Sequence, residues 1–97
     1  MQLKERADRE LGCLVRELQT MNVLPGDLVC SYAGRMTSLI VSLAARTETE
    51  TERDMVRDMT PCIYSDGAVL CVRVLGKSVK SQDELTGSWD VLSWDFK

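Results

Sequence analysis

A chain of 97 residues has room for one hydrophobic core, because two would each fall near the size at which burial barely stabilises a fold. Hydrophobic residues at 44% and charged residues at 28% exclude the disordered class. A formal charge of -3 works against binding a phosphate backbone unless the 12 Lys and Arg residues gather on one face.

From Leu3 to Met21 the apolar positions Ala7, Leu11, Leu14, Leu18 and Met21 recur in steps of four and three, with Leu3 and Val15 widening the stripe. This spacing predicts an amphipathic helix. Lys4 with Asp8, Glu5 with Arg9 and Arg6 with Glu10 are opposite charges four apart on its polar side, and Gly12 is its one weak point. Asn22 and Pro25-Gly26-Asp27 predict a stop and a turn. Leu28 to Tyr32 and Met36 to Ala45, around Ala33-Gly34-Arg35, then read as a β-hairpin. The second arm also fits a helix, through Met36, Leu39, Ile40, Leu43 and Ala44; its β-branched residues favour the strand.

The spacings Thr49-x-x-Glu52 and Thr51-x-x-Asp54 are capping signals ahead of Met55, Val56 and Met59, so a second helix is expected over residues 50–60, ended by Pro61. Ser65-Asp66-Gly67 predicts a turn, and Ala68 to Leu75, apolar on both faces, predicts a central strand. Ser81-Gln82-Asp83-Glu84, closed by Gly87, suits a single helical turn before a last strand over Ser88 to Phe96. The expected fold is therefore α+β in a single domain over 1–97: two layers, a mostly antiparallel four-stranded sheet and two helices on one face, in the order α-β-β-α-β-β.

The chain contains no histidine, which removes the commonest general base, the Ser-His and Cys-His nucleophile pairs and the commonest metal ligand. Asp54 with Asp58 and Asp83 with Glu84 lie among polar neighbours and read as solvated surface. Cys13, Cys30, Cys62 and Cys71 lack paired spacing, so neither zinc nor a disulfide framework is expected, and all four read as reduced core thiols. Gly76-Lys77-Ser78 resembles the end of a phosphate-binding loop, but Cys71 stands where its first glycine belongs, so it reads as a turn. No catalytic residue, metal or cofactor is assigned.

Ser88-Trp89-Asp90 recurs five residues on as Ser93-Trp94-Asp95, an odd offset that sends the two indoles to opposite faces of a strand. With Leu92, Trp94 and Phe96 inward, Trp89 points outward beside Val91 unless another element covers it. Tryptophan is enriched at binding hot spots. Leu11, Leu14 and Leu18 have the spacing of a short coiled-coil seam, which packing on the domain's own sheet would equally explain. By elimination the expectation is a non-enzymatic protein-interaction module, an adaptor, inhibitor or assembly factor of the kind viruses and phages use as accessory proteins. It would act through Trp89, Val91, Leu11, Leu14 and Leu18 on a partner protein or as a homodimer. The alternative is a nucleic-acid-binding domain using Arg53, Arg57, Arg73, Lys77 and Lys80. No apolar run approaches the ~20 residues that span a bilayer, and Met1-Gln2-Leu3-Lys4-Glu5-Arg6 is charged where a signal peptide is apolar. A cytoplasmic location without membrane contact is expected.

Overall fold

The computed structural model describes residues 2–66 and 69–84. The apolar stripe of the first segment winds into α1 (Gln2–Gln19) and turns Ala7, Leu11, Val15 and Leu18 wholly into the core. Arg6 Nε and Glu10 Oε2, one of the expected pairs, stand 3.4 Å apart on its polar side.

The expected hairpin at residues 28–45 is instead one helix, α2 (Gly26–Ala44). Val29, Ala33, Met36, Ile40 and Leu43 continue the four-three spacing straight through Gly34, and all five are buried. Val, Ile and Thr cost a helix less than about 0.7 kcal/mol each and Gly about 1. Burying Val29, Met36, Ile40 and Leu43 contributes about 1.5–3 kcal/mol apiece, so the stripe outweighs local propensity. Pro25-Gly26 likewise opens a helix and not a strand: Pro25 is the extended N-cap residue, and its carbonyl accepts from the N–H groups of Leu28 and Val29. Tyr32 on α2 donates from its hydroxyl to Glu17 Oε2 on α1 at 2.8 Å, tying the two helices together at the edge of their contact.

The capping signal at Thr49 is realised. Its hydroxyl accepts from the Glu52 N–H at 3.1 Å and opens α3 (Glu50–Arg57), which packs on α1 and α2 and buries Val56. Thus the chain has three helices among the described residues where two were expected.

Three antiparallel strands follow in meander order: β1 (Cys62–Asp66), β2 (Val69–Val74) and β3 (Lys77–Glu84), with β2 central as its apolar sequence implied. Ser65 and Asp66, expected in a turn, belong to β1 and pair with Leu70 and Val69. Ser81 to Glu84, expected as a helical turn, belong to β3. The fourth strand expected over 88–96 lies outside the described residues.

Two residues turn β2 into β3, Leu75 at φ 53° and Gly76 at φ 74°, the two positive φ values of a tight hairpin whose twist matches its strands. A leucine in the left-handed region is strained; here its side chain packs against the core. Leu70, Val72, Val74 and Val79 point from the sheet into the same buried cluster as Leu11, Leu18, Met36 and Ile40. α1 and α2 therefore lie over one sheet face in direct contact with it, and α3 packs on both of these helices.

A register shift between Val69 and Cys71 interrupts the β2–β3 ladder. There the buried Ser81 hydroxyl accepts the Leu70 N–H at 3.2 Å, so a side chain replaces the carbonyl that the shift removes. On the other side of β3, the Gln82 N–H donates to the Leu24 carbonyl at 2.8 Å and ties the α1–α2 connection to the sheet.

Candidate interaction surfaces

Strand alternation sends Tyr64, Cys71, Arg73, Ser78 and Lys80 to the sheet face away from the core. Two side-chain links cross the central strand there. Tyr64 on β1 donates to Ser78 Oγ on β3 at 3.1 Å, and Lys80 on β3 donates to Asp66 Oδ2 on β1 at 2.6 Å. Cys71 is cross-strand neighbour to both Tyr64 and Lys80 and is 0% exposed, so this face has a small buried centre under polar straps. The Arg73 guanidinium lies 5.7 Å from the centre of the Tyr64 ring. Hydrogen bonding and charge from Lys80 hold the Asp66 carboxyl below its ordinary pKa, and Asp66 raises Lys80 in return.

The second surface lies between helices. Lys4, Glu5 and Asp8 of α1 and Met55 of α3 line a groove of about 420 Å³. Gln2 and Leu3 of α1, Arg46 and Glu48 of the α2–α3 connection and Glu52 of α3 line a neighbouring depression of about 330 Å³. Met55 is 37% exposed, an apolar side chain left at the surface while adjacent Val56 is buried. Successive helical residues diverge by about 100°, and α3 presents one narrow stripe to the core, so it buries one of the two.

Of the leucines expected to bind a partner, Leu11 and Leu18 are 0% exposed and Leu14 is half-buried against the core, so the α1 stripe is taken up by the protein's own fold. Trp89 and Val91 lie outside the described residues. The five basic residues are not brought onto one surface: Arg73 and Lys80 share the outer sheet face, Lys77 has the alternation of the helix side, and Arg53 and Arg57 stand on α3. Lys80 is paired with Asp66.

All four cysteines are free thiols, but they are not all core residues as expected: Cys30 and Cys71 are buried, whereas Cys13 and Cys62 are exposed. The Arg16 guanidinium donates to Cys13 Sγ at 3.3 Å. Burial, and secondarily Asp27, raises the Cys30 thiol pKa, and the hydrogen bond to Glu17 raises that of Tyr32. Among the described residues no three metal-ligating side chains converge, and no helix is long and apolar enough to cross a membrane.

Sequence reasoning missed Met55 as a surface residue and Tyr64 as the centre of an outer-face network. The first had a signal, two adjacent apolar residues on a short helix; the second had none, because Cys62–Asp66 shows no alternation of apolar and polar residues. No family model, curated protein or solved structure matches the chain.

Proposed function

We propose that this chain is a non-enzymatic protein-interaction module of the cytoplasm, an adaptor, inhibitor or assembly factor acting through a surface of its helical layer. The observation that carries this reading is the α1–α3 groove, where Met55 of α3 stands exposed opposite the charged side chains of Lys4, Glu5 and Asp8 on α1. An apolar side chain rimmed by polar groups in a concave site is the pattern of a binding surface. The groove offers no nucleophile paired with a base, which suits contact better than catalysis. Self-association through the α1 leucines loses its support, because Leu11 and Leu18 serve the core.

A second reading, nucleic-acid binding, draws on Tyr64 and Arg73 on the outer sheet face, where an aromatic ring and a guanidinium would meet a base and a phosphate. Dispersal of the other basic residues and the overall charge of -3 leave it behind the first. A photo-crosslinking amino acid introduced in living cells at position 55, and separately at position 64, separates the two. Discrete protein adducts from position 55 are expected. Nucleic-acid adducts from position 64, with none from 55, would reverse the order.

A further inference from the structure

We propose that the groove between α1 and α3 receives a basic amphipathic helix of a partner protein, with one apolar side chain seated on Met55 and Lys or Arg side chains against the groove's carboxylates. The proposal rests on the interaction-module reading and names the chemistry of the partner.

Three observations lead to it. The groove runs between two packed helices, and side chains line both walls. A strand laid there would meet no row of backbone donors and acceptors, whereas a helix satisfies its own backbone and packs its side-chain ridge into such a channel. Met55, the α3 wall, supplies an unbranched, polarisable surface of the kind that adapts to varied apolar anchors. Around the groove and its neighbouring depression, Glu5, Asp8, Glu48 and Glu52 outnumber Lys4 and Arg46. That excess attracts a cationic partner and raises the cost of docking an acidic one.

The test uses the full chain, labelled with nitrogen-15, and two amidated peptides of roughly 18 residues, long enough to hold helical structure. One combines Lys and Leu at amphipathic helical spacing; the other replaces each Lys with Glu. The Lys/Leu peptide is expected to shift the amides of residues 3–8 and 52–59 in a saturable way, more tightly at about 50 mM than at about 300 mM salt. Asp8→Lys should weaken it about twofold to fivefold, as expected for a charge at the rim. Met55→Ala should weaken it at both salt concentrations. Asp8 is exposed and Met55 lies at the surface, so circular dichroism should be unchanged in either variant.

Shifts scattered over the whole surface, or binding indifferent to both substitutions, would reduce the effect to general cation adhesion and overturn the proposal. Seating of the Glu/Leu peptide instead would overturn the basic partner while leaving the module reading in place. Failure of both peptides to reach the groove would remove the groove from the module reading as well.

Discussion

On β2, Leu70, Val72 and Val74 point toward the helices, whereas Val69, Cys71 and Arg73 point away, and the two sets are stabilised by different physics. Toward the helices, stability comes from volume: side chains from the sheet and from α1 and α2 fill one close-packed cluster. On the outer face it comes from reach. Long polar side chains on the flanking strands meet across β2 and cover a single small residue, Cys71. One strand can therefore read as apolar on both faces although only one of them meets a core.

The inner face is the more sensitive of the two to substitution. Leu70→Ala removes most of a fully buried side chain from the cluster, and a loss of about 2–5 kcal/mol is expected. That is a large share of the roughly 5–15 kcal/mol a small domain has in all. Urea unfolding followed by circular dichroism would measure it, and a loss below about 1 kcal/mol would mean the inner face is less tightly packed than the burial implies.

Ser81 sharpens the contrast, since it is a polar residue on the packed side. Its hydroxyl accepts the Leu70 N–H where the ladder shifts register, so Ser81→Ala leaves a buried donor without that acceptor. About 1–3 kcal/mol of destabilisation is expected, despite a change of only one oxygen atom. Faster exchange of the Leu70 amide than of its strand neighbours would tie the loss to that bond.

These two positions also show how much was legible in sequence. Alpha-helical periodicity identified α1, the Thr49 spacing located the start of α3, and unbroken apolar character marked β2 as central. Each signal is local and repeats the property that the fold uses. The second helix was obscured because valines and isoleucine near a glycine satisfy strand and helix patterns at once, and the choice between them is made by the burial of residues far apart in sequence. Strand β3 was hidden for the opposite reason: Val79 is its one large apolar residue, and Ser81 and Gln82 owe their extended state to β2 and to the Leu24 carbonyl. The outer-face straps depend on register between strands, which the order of residues within a strand does not encode. The groove was partly visible through Met55 beside Val56, but its lining residues Asp8 and Met55 stand more than forty positions apart in sequence, and only the packing of α1 on α3 joins them.

The smallest expected effect lies on the outer face, and its sign follows from Asp66. Lys80 holds the Asp66 carboxyl below its ordinary pKa in the folded state. The contribution to stability is thus present above the unfolded value of about 3.9 and is lost as pH falls through the lower folded value. Lys80 itself is raised, so its part is present below about 10.5 and is lost as pH rises through its folded value. Between those limits the strap is intact and insensitive to pH. Asp66→Asn removes the ion pair between two exposed side chains, and such pairs contribute little, so the unfolding midpoint should barely move. What should change is the cover over Cys71. Thiol labelling at neutral pH, read site by site by mass spectrometry, should accelerate at Cys71 while Cys30, buried in the core, labels as slowly as before. Equal acceleration at both thiols would mean that the outer face opens only with the whole fold, and the distinction between a face held by reach and a face held by volume would fail.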